Sequence, residues 1–141
     1  MRKILLASHG KFADGIYDSL QMIMGEQKRV STLCAFVDRK TDLKKEIEEI
    51  ISSLSEHEEL IVITDIFGGS VNNLFMQYVS KSRIHLISGL NLPLLIEMVS
   101  RVEEEPENTE SWLLKILDTT KNTIMYCNDL LVTNSLEEEN F

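Results

Sequence analysis

Short runs of Ile, Leu and Val alternate along this chain with longer stretches whose apolar residues recur every three or four positions. This repeated change of period constrains the fold more than any other feature, because strands and amphipathic helices bury side chains at different spacings. Ile4–Ala7, Ser31–Val37, Leu60–Thr64 and Ile84–Ile87 read as strands. The first and third are continuously apolar, as expected of strands covered on both faces. Between them, Ala13, Ile16, Tyr17, Leu20, Ile23 and Met24 form one helical stripe ending at Gly25, and Leu43, Ile47, Ile50, Ile51 and Leu54 form another behind a Thr41 or Asp42 cap. A third stripe, Leu74, Phe75, Tyr78 and Val79, follows the third strand, and a fourth, Leu94, Leu95, Met98, Val99 and Val102, follows the last. Short connections between such elements require right-handed crossovers. The fold predicted is α/β: a doubly wound, mainly parallel sheet of about four strands flanked by helices.

The charged run Glu103–Glu110, which contains Pro106, reads as a solvated loop before a last helix at Ser111–Asp118 with Trp112, Leu113, Ile116 and Leu117 turned inward. Thr123–Cys127 and Leu130–Thr133 read as further extended pieces. A chain of 141 residues fits one domain, expected over residues 1–135, with residues 136–141 as an acidic, frayed tail. Acidic side chains number 23 against 14 basic, a net charge of −9, which argues against nucleic acid or an anionic membrane as partner. Cys34 and Cys127 lie in apolar surroundings without CxxC or CxxH spacing and read as buried thiols. Met22, Met24, Met76 and Met98 read as core filling. No apolar run approaches the roughly 18 residues that span a bilayer, so the expected location is the cytoplasm, without membrane insertion.

Ligands of open parallel sheets bind beyond the carboxyl ends of the strands. Here those ends are polar: Ser8-His9-Gly10 after the first strand, Thr64-Asp65 running into Phe67-Gly68-Gly69-Ser70 after the third, and Ser88-Gly89 before Leu90-Asn91-Leu92-Pro93 after the fourth. His9 is the only histidine at such an end, and Gly10 leaves room for another molecule to approach it. Histidine ordinarily titrates near pH ~6.5 and keeps one ring nitrogen free for attack when a partner holds the proton on the other. Asp65 suits that partner. Gly68, Gly69 and Ser70 lead into a helix and offer backbone N–H groups and a capping hydroxyl to an anion such as a phosphoryl group, with Asn72 and Asn73 nearby. Taken singly, Asp65 also reads as a turn cap and Gly-Gly-Ser as a tight connection. His57 and His85 lack ligand spacing with His9, which argues against a metal, and no GxGxxG or GxxxxGK[ST] supports a nucleotide. No cofactor is expected.

ILLASHGKFADG, VITDIFGGSVNN and LISGLNLPLLIE, in that order over roughly the first hundred residues, resemble the IIA components of the mannose-type sugar phosphotransferase system. The resemblance implies that His9 accepts a phosphoryl group on Nε2 from the phosphocarrier protein HPr and passes it to a IIB component, expected as a separate protein. It implies that Asp65 orients His9, that Gly68, Gly69 and Ser70 surround the phosphate, and that Gly10, Asn73, Gly89, Asn91 and Pro93 belong to the same rim. Phe12, Phe67, Leu90 and Leu92, near the motif ends, read equally as partner-contact residues of that rim or as core residues. It further implies a homodimer exchanging a C-terminal strand, for which Thr123–Cys127 is the expected segment. Phe67 and Val71 depart from the Trp and Pro common in the family. A regulatory phosphohistidine module and the phosphotransfer subunit serving dihydroxyacetone kinase share this pattern, whereas a plain anion-binding domain has no use for His9.

Overall fold

The computed structural model describes residues 1–106 and 108–133. Four strands, β1 (Arg2–His9), β2 (Val30–Ala35), β3 (Glu59–Thr64) and β4 (Ile84–Ser88), form one sheet in the order β2-β1-β3-β4. Every neighbouring pair is parallel, with Ile4 opposite both Val30 and Ile61, and Thr64 opposite Ser88. Helices α1 (Phe12–Met24), α2 (Leu43–Ser52), α3 (Ser70–Met76), α4 (Leu92–Ser100), α5 (Thr109–Thr120) and α6 (Cys127–Thr133) complete the described chain.

The two-residue alternation of the strands divides the core in two. Ile4, Leu6, Ile61, Ile63 and Ile87 pack against Ala13 and Leu20 of α1, Leu95 and Met98 of α4, and Trp112, Leu113 and Ile116 of α5. Leu5, Ala7, Leu60, Val62 and Ile84 face Ile47 and Ile51 of α2 and Val71 and Phe75 of α3. Both faces of β1 and β3 are therefore dry, which is why those runs are continuously apolar. Each fully buried Ile or Leu there contributes about 1.5–3 kcal/mol. Helix starts are set by side chains: Asp42 accepts from the Lys45 N–H, Asn91 from the Leu94 N–H and Asn108 from the Ser111 N–H. The chain leaves β1 toward β2 and returns past it to β3, so the crevice between the carboxyl ends of β1 and β3 is the topological switch point.

Several expectations need correction. β2 ends at Ala35, short of Val37. α3 begins at Ser70 and ends at Met76, a turn earlier than the Leu74–Val79 stripe implied, because Val71 and Phe75, four apart, are its buried anchors. Thr123–Tyr126 forms no strand with this chain's sheet, and Cys127–Thr133 is helical where extended pieces were expected. The side chain of Cys127 is exposed and that of Cys34 half-buried. Of the four methionines read as core filling, only Met98 is buried, whereas Met22 on the outer face of α1 is 83% exposed, Met76 is exposed and Met24 half-buried. Among the described residues no helix is long and apolar enough to cross a membrane.

Candidate functional site

β1 delivers His9 to the switch point, and the next residues hold it there. Gly10 turns at φ 57° and donates its N–H to the Ala35 carbonyl, 2.8 Å away. The buried Ser8 hydroxyl accepts from the Ala13 N–H at 2.8 Å and donates to the Gly10 carbonyl, tying the strand end to the start of α1.

Asp65, just past β3, closes the arrangement from the neighbouring strand. Its Oδ2 accepts from the His9 backbone N–H and from His9 Nδ1, both at 2.8 Å, while Oδ1 accepts from the Ile66 N–H at 2.9 Å. Partial burial works to raise the pKa of this carboxyl, but the bonds from His9 and Ile66 outweigh it and hold the group below the usual carboxylate value. An ionised carboxylate only accepts, so Nδ1 carries the proton and Nε2 presents its lone pair. The Ser70 hydroxyl donates to that Nε2 at 3.1 Å. Ser70 is thus the first residue of α3, with Gly69 at the cap position and the hydroxyl turned to the imidazole in place of the expected capping bond.

The glycines have separable reasons. Gly68 has φ 78° and Gly89 φ 96°, backbone that a Cβ disfavours. Gly69 has ordinary dihedrals, but a Cβ there would lie 2.9 Å from Ile66 Cγ2 and 3.1 Å from His9 Cε1. Asn73 donates to the Gly68 carbonyl at 3.1 Å and steadies the turn. Asn72 is buried and accepts from the Thr64 hydroxyl at 2.8 Å, fastening α3 to β3 away from the imidazole. Asn91 spends both ends of its amide on the Leu94 N–H and the Gly89 carbonyl, and the Gly89 and Leu90 N–H groups both reach the Thr64 carbonyl. Gly89, Asn91 and Pro93 line a cavity of about 560 Å³ that also touches Asp65.

Past the carboxyl ends of β1 and β3, Phe12, Ile66 and Phe67 are exposed, while Leu90 after β4 is buried in the core and Leu92 half-buried. Phe36 was not among the expected residues. It follows β2, and its ring centroid lies 5.5 Å from that of His9. The carboxyl-end rule, extended to the second strand, points to it. His85 pairs with Glu59 at 3.0 Å and the His57 carbonyl accepts from the N-terminal amine, both remote from His9. Among the described residues no three His, Cys, Asp or Glu side chains converge as a metal site.

Fold and site together define a doubly wound α/β domain with a carboxylate-held histidine exposed at its switch point. The model of the EIIA-man family, described as PTS system fructose IIA component, matches residues 3–112, and the chain belongs to that family. The fructose-specific EIIA component of Bacillus subtilis is 26% identical over 102 residues, 71% of this chain and 70% of the relative. The sorbose-specific EIIA component of Klebsiella pneumoniae is 33% identical over 98 residues, 67% of this chain and 70% of the relative. Among solved structures, a PTS IIA protein associated with the fucose utilization operon of Streptococcus pneumoniae superposes with a TM-score of 0.78 at 30% identity, covering 92% of this chain and 96% of that one.

Proposed function

We propose that this protein is a cytoplasmic phosphoryl carrier of a sugar phosphotransferase system, in which His9 accepts a phosphoryl group from phospho-HPr and passes it to a IIB component. The observation that carries the reading is the division of labour on one imidazole whose side chain is 43% exposed: Nδ1 is held at 2.8 Å by Asp65, and Nε2 meets the Ser70 hydroxyl at 3.1 Å. In the transfer, the Nε2 lone pair bonds to phosphorus while the P–N bond to the donor histidine breaks, and the departing imidazole keeps that electron pair. The proton stays on Nδ1, and the positive charge gained by the ring faces the Asp65 carboxylate. Ser70, swinging from nitrogen to phosphoryl oxygen, and the backbone of Gly68 and Gly69 receive the phosphoryl group. Gly10 leaves the approach clear, Asn73 steadies the Gly68 turn, and Gly89 and Asn91 shape the loop beside Asp65. Such a transfer depends on positioning and charge stabilisation, which these residues supply without a cofactor.

The exposed Phe12, Ile66 and Phe67, which follow the carboxyl ends of β1 and β3, give partner proteins apolar side chains at that end of the sheet. We assign one domain to residues 1–135. A homodimer is supported by Ile124, which is 98% exposed, and by the exposed Met125 and Tyr126, since contiguous apolar side chains in water mark an interface.

The test is intact mass after incubation with phosphoenolpyruvate, enzyme I and HPr. Wild type is expected to gain one acid-labile phosphoryl group and His9→Ala none, with unchanged circular dichroism. Labelling of the alanine variant would remove His9 as acceptor, and an unlabelled wild type beside phosphorylated HPr would remove the carrier function.

A further inference from the structure

Phe36 combines two unfavourable features that no burial offsets. It has φ 66°, and among the described residues it is the sole non-glycine with a positive φ, a region that a bulky side chain disfavours. Its side chain is 60% exposed and belongs to neither core cluster. Crowding does not force it into place, because a cavity of about 830 Å³ lined by Phe36, Val37 and Leu43 lies beside it. Yet the ring rests on His9, with centroids 5.5 Å apart and planes inclined by 38°. Strained backbone that persists at a reacting group is a pointer to a role there.

We propose that Phe36 is a positioning residue for His9, holding the imidazole plane while Nε2 carries a phosphoryl group and keeping water from that side of the ring. The inference rests on the carrier function proposed above. In the free protein the imidazole is tethered in its plane at both nitrogens, by Asp65 and by Ser70, and the soft motion left is a tilt about the line joining them. Phosphorylation of Nε2 removes the Ser70 tether from that nitrogen. Asp65 then holds one edge, and the Phe36 face is what opposes the tilt. Once Nε2 is bonded, the ring is cationic, and an aromatic face beside a cation is favourable. The competing reaction is hydrolysis: a water oxygen bonds to phosphorus, the P–Nε2 bond breaks with its electron pair returning to Nε2, and inorganic phosphate leaves. A ring that tilts freely exposes phosphorus to that attack.

The experiment phosphorylates wild type, Phe36→Gly, Phe36→Asn and Phe36→Tyr with phosphoenolpyruvate, enzyme I and HPr, removes the donors, and follows loss of the phosphoryl group by intact mass at fixed pH. Gly and Asn both accept left-handed backbone, so their thermal midpoints are expected at or above wild type. They are expected to lose phosphate roughly two- to tenfold faster, the range an aromatic contact supplies. Phe36→Tyr, which keeps the ring, is expected to match wild type. Equal rates in all four proteins overturn the role of Phe36 and leave the carrier function standing, as does acceleration in the tyrosine variant equal to that in glycine. A wild type that takes up no phosphoryl group overturns the carrier function, and this inference with it.

Discussion

At Asp65 one carboxylate accepts from three N–H groups, two of them on His9. Burial alone raises its pKa, and these bonds pull it the other way, with a net result below the ordinary value. The sign of the pH dependence follows from that direction. A carboxyl depressed in the folded protein contributes its stability above its unfolded pKa, near ~3.9, and loses it as the pH falls through the folded value. Above about pH 5 the His9–Asp65 arrangement is therefore expected to be intact, and acid is expected to release it. Asp65→Asn removes the titration and leaves the shape. This variant is expected to keep the fold, to lose that part of the acid-dependent drop in unfolding free energy, and to take up phosphoryl groups at least about tenfold more slowly, because a neutral amide no longer balances the charged ring. Urea melts from pH 3 to 7 and timed labelling measure both effects. An unchanged labelling rate removes the orienting role.

The strand-to-helix element Asp65–Ser70 places two glycines side by side, and the structure assigns them opposite sensitivities. Gly68→Ala meets no atom within 4 Å but puts a Cβ at φ 78°, so it is expected to lower stability by about 1–2 kcal/mol with labelling nearly unchanged. Gly69→Ala has relaxed backbone but meets Ile66 Cγ2 at 2.9 Å and His9 Cε1 at 3.1 Å, so the imidazole must shift. Labelling is expected to fall by roughly tenfold or more, since small misplacements of a reacting group are expensive in rate. Denaturant melts beside labelling rates for the two variants check the contrast. Elements of this kind also mark where the sequence is legible. Ile4–Ala7 and Leu60–Thr64 declare themselves because both faces are buried, and His9 and Asp65 follow from asking what those strands deliver at their ends. The start of α3 is hidden because Asn72, buried for its bond to Thr64, interrupts the apolar period. Asn91, expected on the rim, also caps α4, and Met22 looks like core and faces solvent, since neither cap nor outer face leaves a mark in a hydrophobic stripe. Phe36 is half legible: the carboxyl end of β2 delivers it to the rim, but its left-handed backbone is a tertiary outcome that no local preference encodes.

At the scale of the molecule, the sheet order leaves β2 and β4 as edge strands without a neighbour among the described residues, and an unpaired edge must be covered, bent or charged to avoid pairing with another chain. The chain also leaves Ile124, Met125 and Tyr126 in water just past α5, beside the cavity that β4 and α4 border. These two features fit each other across copies: an apolar segment that its own sheet does not use, and an edge strand with no further strand beside it among the described residues. Exchange of that segment in a homodimer is accordingly expected to be concentration-dependent and to end when its apolar character is removed. Light scattering behind size exclusion is expected to give twice the 16.2 kDa chain mass for wild type and a single chain for Ile124→Asp combined with Tyr126→Asp. A wild type that stays at one chain mass at about 100 μM rules the exchange out, since working dimers of standard interface size bind more tightly than that. The site predicts the rest of the outcome. Asp65, Ser70 and Phe36 all meet His9 within one chain, so the monomeric variant is expected to accept phosphoryl groups at the wild-type rate. A large loss of labelling on dissociation would mean that the second copy completes the site, and the single-chain geometry of His9 would then be an incomplete account of the chemistry.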